Sequence, residues 1–223
     1  MGWSYVVNSA ELSPDGKKIL IKLRDNSILV NNVHNGRTLL NIEGHERNIT
    51  NAFWTDGGAK IITTSYDNTA KIWDSQTGRL LYTLNGHRHS VMGASVSPDG
   101  NKVVTASRDS SAIIWDLNTG KKIKELNEHK GGVNFAAWSP DGKHIFTASE
   151  QDLSVVIWDA ETNLPKYNLP STNYVEFAAM WSPDASSILI AKPDFSVEVY
   201  NIENQKRIHH LRGHTDRVWA AEW

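Results

Sequence analysis

The 223-residue sequence contains no cysteine, only three methionines and no long uninterrupted hydrophobic run. Without cysteine there is no disulfide framework, no thiolate zinc site and no cysteine nucleophile. No apolar run approaches the roughly 18 residues that a membrane helix needs, and no secretory signal precedes the first strand-like segment. We therefore expect a cytoplasmic protein that is neither secreted nor bound to a membrane.

An excess of either charge is also missing. The 23 Lys and Arg residues are balanced by 25 Asp and Glu residues, which leaves a formal net charge of -2. This balance argues against a nucleic-acid-binding protein held by phosphate contacts. Hydrophobic residues make up 39% of the chain and charged residues 22%, so the sequence is too apolar for a disordered chain and sufficient for a continuous core.

Tryptophan, in contrast, is abundant, and its positions repeat. Trp73, Trp115 and Trp158 are separated by 42 and 43 residues, and an aspartate follows each of them. A histidine usually preceded by glycine repeats in the same register, as does a turn resembling Ser-Pro-Asp-Gly. The histidines are His45, His87, His129 and His214, and the turns lie at 13–16, 55–58, 97–100, 139–142 and 182–185. This period is typical of the four-stranded blades of a β-propeller.

The residues within one unit indicate four short strands, A to D, at 49–54, 60–65, 69–73 and 79–84. Strands B and C show little alternation, as expected when both faces of a sheet are covered. Strand D carries lysines and arginines, which indicates a solvated outer edge.

We predict an all-β, single-domain chain spanning residues 1–223. It has five complete four-stranded antiparallel blades and one extra innermost strand. The units lie at about 2–43, 44–85, 86–127, 128–170 and 171–212, with a partial unit at 213–223.

These markers resemble the WD-repeat family of β-propellers, in which Gly-His opens each unit and Trp-Asp closes strand C. The resemblance covers essentially the whole chain. It implies a ring of four-stranded sheets with strand A at the central channel and strand D at the rim. It also implies a non-catalytic binding platform that needs no cofactor.

The repeated His, Ser and Asp residues match the residue types of a catalytic triad, but they occur in three units. A set that is present in every well-formed unit is more simply part of the structure of that unit. The resemblance implies a hydrogen-bonded tetrad inside each blade, which satisfies buried polar groups. The expected tetrads are His45, Ser65, Asp67 and Trp73; His87, Ser107, Asp109 and Trp115; and His129, Ser149, Asp152 and Trp158. Thr63, Thr105 and Thr147 lie two residues earlier on the same strand face and could share the role of the serines.

The first and fifth units depart from this pattern. Trp3, Leu23, Asp25 and Asn31 occupy the four positions in unit 1, and Thr172, Lys192, Asp194 and Tyr200 occupy them in unit 5. We expect these two blades to be softer and to rely on apolar packing. In unit 4 an inserted residue at Glu150-Gln151 predicts a protruding B–C turn.

No metal site is predicted. His209 and His210 are adjacent on a strand, so their side chains point to opposite faces and cannot bind one metal ion. Gly57-Gly58 and Gly131-Gly132 are isolated pairs in turns and do not form a phosphate-binding loop. The basic segment 206–217 is interpreted as a rim strand in preference to a phosphate-binding patch.

Partner binding is expected where residues differ between units. The resemblance implies that one channel mouth is lined by Asn8, Thr50, Met92, Asn134, Phe177 and Trp219 from strand A and by Arg24, Tyr66, Arg108, Gln151 and Pro193 from the turns. Aromatic residues, Met and Arg are enriched in interface hot spots. We predict that proteins or peptides bind at Tyr66, Met92, Arg108, Asn134, Phe177, Arg24 and Trp219. The alternative is that the aromatic residues pack inside the channel.

Two other functional hypotheses remain open: a self-assembling structural block, and a small-ligand binder or enzyme that uses the channel funnel. Strand 217–223 is expected to have no neighbouring strand within its own unit, and the resemblance implies seven blades. Three outcomes are compatible with this arithmetic. The chain is a fragment, the last strand displaces strand 5–12 in a five-bladed ring, or copies of the chain associate through strand 217–223.

Overall fold

The computed structural model describes residues 7–149, 151–170, 179–192, 194–216, 218, 221 and 223. The described part of the chain folds into twenty β-strands, arranged as five four-stranded antiparallel sheets. Each sheet consists of four strands that follow one another in the chain, and we call the sheets blades 1 to 5. The predicted all-β class with five four-stranded blades is therefore confirmed.

The strand bounds follow the predicted units closely. Blade 1 contains β1 (Val7–Leu12), β2 (Lys18–Leu23), β3 (Ile28–Asn32) and β4 (Thr38–Ile42). Blade 2 contains β5 (Ile49–Trp54), β6 (Lys60–Ser65), β7 (Ala70–Asp74) and β8 (Leu80–Leu84). Blade 3 contains β9 (Val91–Val96), β10 (Lys102–Ser107), β11 (Ala112–Asp116) and β12 (Lys122–Leu126). Blade 4 contains β13 (Val133–Trp138), β14 (His144–Ser149), β15 (Ser154–Asp159) and β16 (Pro165–Pro170). Blade 5 contains β17 (Ala179–Trp181), β18 (Ser187–Ala191), β19 (Val197–Asn201) and β20 (Arg207–Leu211).

Burial along the strands explains their composition. In β6, β10 and β14 every residue after the first is buried, whereas most residues of the fourth strands β4, β12 and β20 are exposed. The central strands are covered on both faces and therefore contain β-branched and small residues without alternation. The fourth strand is an edge of each sheet. The edge strands β12 and β20 carry Lys or Arg, as predicted, whereas β4 and β8 contain no charged residue. Within the described ranges no helix has the length and apolar character needed to cross a membrane.

The hydrophobic cores lie between successive blades. Trp73 of blade 2 packs with Leu20 and Ile28 of blade 1, and Trp115 of blade 3 packs with Ile72 of blade 2. Blades 3 and 4, and blades 4 and 5, share equivalent cores. Truncation of a buried tryptophan to alanine typically costs about 3–5 kcal/mol, so each strand C tryptophan is a main attachment to the preceding blade.

The turns between the first two strands are held by the serine of a Ser-Pro-Asp sequence in blades 1, 3, 4 and 5, and Thr55 takes that position in blade 2. In blade 3, Ser97 Oγ donates to Asp99 Oδ1 at 2.5 Å, and the Asn101 amide donates to the same oxygen at 3.0 Å. The turn then requires a positive φ, which Gly100 supplies at 70°. Ala185 adopts the same conformation in blade 5, at 59°.

The first blade keeps its own innermost strand, because β1 pairs with β2. The alternative in which the last strand displaces strand 5–12 is therefore wrong. In the sixth unit, residues 217, 219, 220 and 222 lie outside the described residues, so most of the strand expected at 217–223 is not described. Trp223 is described, is 50% exposed, and has its indole N–H 3.5 Å from the Met180 carbonyl oxygen.

Candidate functional site

A chain of hydrogen bonds crosses blade 2 from its B–C turn to its third strand. His45 lies 2.7 Å from Asp67 Oδ2 through Nδ1 and 2.7 Å from Thr63 Oγ1 through Nε2. Trp73 Nε1 donates to the same Thr63 oxygen at 2.8 Å. Since the indole N–H only donates, the Thr63 hydroxyl proton is directed to His45 Nε2, and His45 carries its own proton on Nδ1.

The same geometry recurs in the next two blades. In both, the His Nδ1 atom lies 3.0 Å from the Asp carboxylate, and His Nε2 and Trp Nε1 each lie 2.8 Å from one threonine Oγ1. The residues are His87, Asp109, Thr105 and Trp115 in blade 3, and His129, Asp152, Thr147 and Trp158 in blade 4. The structure thus brings together the predicted histidines, aspartates and tryptophans.

The predicted serines do not belong to these chains, and this part of the prediction was wrong for Ser65, Ser107 and Ser149. Ser65 Oγ donates to the Arg47 carbonyl oxygen at 2.9 Å and accepts from the Asp67 amide at 3.1 Å. The serine ends its strand, where backbone groups of the turn and of the preceding loop need partners. The threonine two residues earlier lies deeper in the blade, within reach of the tryptophan.

Ionisation in this network follows from burial and hydrogen bonding. Burial lowers the pKa of His45 below its usual value, so the ring is neutral at neutral pH. Burial opposes the charge on Asp67, but hydrogen bonds from Thr69, His45 and the Glu46 amide outweigh it and lower the pKa of Asp67. The blade therefore holds an ionised carboxylate beside a neutral imidazole.

This arrangement does not match a catalytic triad. The hydroxyl on His45 Nε2 belongs to Thr63, which is 0% exposed, whereas Ser65 contacts backbone groups. A nucleophile must be open to its substrate and hydrogen-bonded to its base. The network instead satisfies polar groups buried between strands and fixes the loop that carries His45.

Blade 5 satisfies its buried polar groups in another way. Glu198 is 6% exposed and accepts from the Tyr200 hydroxyl at 2.7 Å and from Arg207 at 2.5 Å, while Lys192 Nζ lies 3.0 Å away. Burial opposes its charge, but these three partners lower the pKa of Glu198 to about 2. Blade 5 also shares an apolar core with blade 4, as expected, but the expectation did not include this ionic cluster.

Blade 1 has a simpler interior. Leu23 is 3% exposed, and Asn31 Oδ1 is buried without a hydrogen-bond partner among the described residues. Asp25 stays within its own turn and accepts from the Ser27 hydroxyl at 2.6 Å. The remaining positions of the flanking units, Trp3 and Thr172, lie outside the described residues.

The variable turn residues form an exposed surface on the side of the B–C turns. Tyr66 is 37% exposed, and the guanidinium carbon of Arg108 lies 5.9 Å from the centre of its ring. The backbone amides of both residues are fixed: Tyr66 N–H donates to the Asn48 oxygen at 3.1 Å, and Arg108 N–H donates to the Ser90 oxygen at 3.0 Å. Two predicted binding residues from neighbouring blades are thus in contact.

The loop before β13 closes against this pair because it contains two glycines. A Cβ atom on Gly132 would lie 3.1 Å from Arg108 Cα, and one on Gly131 would lie 2.4 Å from Gln151 Cβ. The Gly132 amide donates to Gln151 Oε1 at 2.9 Å. These glycines were predicted to be ordinary turn residues, and their packing role was not predicted, although two consecutive glycines were the available signal.

On the first strands of blades 3 and 4, Met92 and Asn134 are half-buried. Thr50 Oγ1 donates to the Val91 carbonyl oxygen at 2.6 Å, and Lys22 Nζ donates to the Thr50 carbonyl oxygen at 2.7 Å. Lys22 was not predicted as a site residue, because it occupies a strand position with no turn or repeat signal.

The other predicted partner-binding residues have different outcomes. Arg24 Nε donates to Asn8 Oδ1 at 3.1 Å on blade 1. Phe177, Pro193, Trp219 and the inserted Glu150 lie outside the described residues. Gln151, beside the insertion, is exposed.

No metal centre is built from the described residues, since they contain no group of three or more His, Asp or Glu side chains suited to a metal ion. His209 is exposed, whereas His210 is half-buried with Nε2 3.0 Å from Ser196 Oγ. The two histidines therefore have the different environments expected for neighbours on one strand.

Comparison with known proteins agrees with the repeat geometry. The family model described as WD domain, G-beta repeat, matches residues 36–74, 78–116 and 120–159, which together are more than half of the chain. Each match ends at the aspartate that follows a strand C tryptophan. A comparison with curated proteins found no match. The chain therefore belongs to the WD-repeat family, whose members are generally protein-interaction scaffolds.

Proposed function

We propose that this chain is a non-catalytic scaffold that binds partner proteins or peptides at the surface formed by Tyr66, Met92, Arg108 and Asn134. We call this set the mouth surface. The observation that carries the proposal is the contact between Tyr66 and Arg108, whose ring centre and guanidinium carbon are 5.9 Å apart. Neither side chain takes part in the hydrogen-bonded network inside its blade.

The division between repeated and variable residues supports this proposal. The repeated histidines, threonines and tryptophans are buried and use their polar atoms within the blade. Tyr66 and Arg108, which occupy equivalent positions in neighbouring units, differ from each other and are exposed. Folding therefore explains the first group and leaves the second group available for recognition.

The geometry of the pair also suits an interface hot spot. Tyrosine and arginine are the residue types that most often dominate binding energy. The cation–π contact with Tyr66 favours one position of the Arg108 side chain before a partner arrives, which reduces the entropy lost on binding. The backbone hydrogen bonds of both turns, to Asn48 and Ser90, hold the pair on a rigid base.

The proposal is tested by a pull-down in which the amount of captured protein is measured for the wild-type chain and for two variants. Tyr66→Ala and Arg108→Glu should each reduce capture at least tenfold, because truncation of a hot-spot residue costs about 2 kcal/mol or more. The melting temperature should stay unchanged, since both side chains are exposed. Arg79→Glu, at an exposed position next to the rim strand β8, makes the same charge change as Arg108→Glu and is the matched control.

Equal capture by wild type and both variants would contradict the proposal. A fall in melting temperature that accompanies the loss of capture would also count against it, because Tyr66 and Arg108 would then be structural residues.

A further inference from the structure

We infer that the mouth surface recognises an acidic segment of a partner protein, with an Asp or Glu carboxylate of that segment bound by Arg108. This inference rests on the proposed function and names the chemistry of the partner. It follows from how the acidic and basic side chains of the same loops are used.

In blades 2, 3 and 4, both oxygens of the B–C turn aspartate accept hydrogen bonds from the same blade. Asp67 Oδ2 accepts from His45 Nδ1 and from the Glu46 amide, and Asp67 Oδ1 accepts from the amide and hydroxyl of Thr69. Asp109 and Asp152 are bound in a similar way, and the exposed fractions of the three carboxylate side chains are only 6%, 7% and 14%. These three carboxylates therefore point into their own blades and are not available to a ligand.

Arg108 is in the opposite situation. Among the described residues it forms no ion pair and its guanidinium donates no hydrogen bond; its contact is the face of the Tyr66 ring. Stacking on a ring leaves the N–H groups at the edge of the guanidinium free. A carboxylate matches that edge with two parallel hydrogen bonds.

The surroundings of Arg108 also offer donors. Gln151 Oε1 is occupied by the Gly132 amide, so the side-chain NH₂ of Gln151 is the part left for a ligand. Lys22 Nζ donates to the Thr50 carbonyl oxygen, and no carboxylate of the described residues lies within 4.0 Å of it. Burial lowers the pKa of Lys22, as expected for an ammonium group that lacks a counter-charge.

The exposed charges of the neighbouring loops are of both signs. Arg47 and Lys130 are exposed and form no ion pair in the described part of the chain. The exposed carboxylates of the same loops or turns are Glu43, Glu46, Glu128 and Asp25. Arg24 donates to the uncharged Asn8. The positive bias therefore comes from Arg108 itself, which has no anionic partner among the described residues, although the whole chain has a net charge of -2.

That net charge favours a peptide over a nucleic acid. A continuous phosphate backbone would meet Glu46 and Asp25 as well as the cations, and phosphate binding normally requires a strongly basic surface. A peptide can place single carboxylates at Arg108 and neutral residues elsewhere. An aromatic or apolar neighbour in the peptide would pack beside Tyr66 and Met92.

Selection from a library of short random peptides tests the inference directly. Peptides enriched on the wild-type chain should be rich in Asp and Glu. Replacement of their acids by Asn and Gln should weaken binding at least about tenfold, the loss expected when a charged hydrogen-bonded pair is removed. Arg108→Glu should produce a similar loss, Arg108→Lys a smaller one, and Arg79→Glu none.

The outcomes separate this inference from the proposed function. Enriched peptides that are neutral or basic, yet still depend on Tyr66, would overturn the acidic preference and leave the mouth surface as a binding site. A single-stranded RNA oligonucleotide that binds more tightly than the acidic peptides would also overturn it. No enrichment, or enrichment that ignores both Tyr66→Ala and Arg108→Glu, would contradict the proposed function itself.

Discussion

Blade 3 and blade 5 solve one problem with different chemistry. In blade 3, Thr105 joins Trp115 and His87 in a chain that contains a single carboxylate, Asp109. In blade 5, Glu198 is surrounded by Lys192, Arg207 and Tyr200. Both arrangements leave the buried polar atoms satisfied, so the fold requires partners for these atoms and does not require one particular set of residues.

Two residue differences explain why the polar network of blade 5 is unlike that of blades 2 to 4. Ile190 occupies the strand position of the threonines, and Tyr200 occupies that of the tryptophans. With no threonine hydroxyl to receive a proton, the Tyr200 hydroxyl donates to Glu198 instead. Three charged groups in place of one make this network more costly to desolvate and more sensitive to pH.

The largest loss of stability among these variants is expected when the Thr105 hydroxyl of blade 3 is removed. Thr105→Val keeps the shape of the side chain but leaves His87 Nε2 and the Trp115 N–H unpaired at a site that is 0% exposed. We expect a loss of about 2–4 kcal/mol in the free energy of unfolding, since each buried unsatisfied group costs about 1–3 kcal/mol. Urea unfolding measures this loss.

Ser107→Ala is the matched control for that experiment, because Ser107 bonds only to backbone groups, at His89 and Asp109. It should cost about 1 kcal/mol. A larger loss for Ser107→Ala than for Thr105→Val would show that the hydroxyl assignment is wrong.

The ionic network of blade 5 is tested next by Glu198→Gln. Removing the charge abolishes the ion pair between Glu198 and Lys192, whose side chain is 11% exposed. Breaking a fully buried pair costs about 3–5 kcal/mol; Arg207 is half-exposed, so we expect about 1–3 kcal/mol at neutral pH. An unchanged free energy of unfolding would show that the network does not stabilise blade 5.

Lowering the pH should destabilise the networks of blades 2 and 5 at different pH values. The pKa of Glu198 is lowered from 4.5 to about 2, so its contribution is complete above pH 4.5 and is lost as the pH falls toward 2. The pKa of His45 is lowered from 6.5, so its contribution is complete above pH 6.5 and begins to be lost as the pH falls below that value. Hydrogen exchange should therefore show blade 2 loosening at higher pH than blade 5, and Glu198→Gln should abolish the later loss.

The smallest effect is expected at the B–C turn of blade 4. Leu153 has a φ of 59°, at the turn position where Asn26 and Asn68 have 69° and 71°. Asparagine tolerates this conformation better than leucine, so Leu153→Asn should raise the free energy of unfolding by about 0.5–1 kcal/mol. Leu164→Asn, at a residue that is 60% exposed and has no positive φ, is the control and should give no gain.

Much of the fold could be predicted because its signals are local. Turn residues and apolar runs marked the strands of blade 2 at 49–54 and 60–65, and the structure has the same bounds. The outcome was less complete for the site. Ser65 and Thr63 lie on one face of one strand, so periodicity could not decide which hydroxyl reaches His45.

The remaining misses depend on contacts between distant segments. Lys22 reaches Thr50 in the next blade, and Gly132 is required by the backbone of Arg108, 24 positions earlier in the chain. Glu198 looked like an ordinary strand residue, but its three partners make it a buried ion. The distances between these side chains depend on the packing of the blades and cannot be obtained from one sequence.

The sequence by itself determined the repeat, the strands and the residues that fill each blade, because the period and the turn chemistry act within about forty residues. The tertiary structure decided which hydroxyl completes each hydrogen-bonded chain and which side chains meet on the mouth surface. Those choices depend on how neighbouring sheets pack, since a hydrogen bond or a stacked pair is made only when two segments come within a few ångströms.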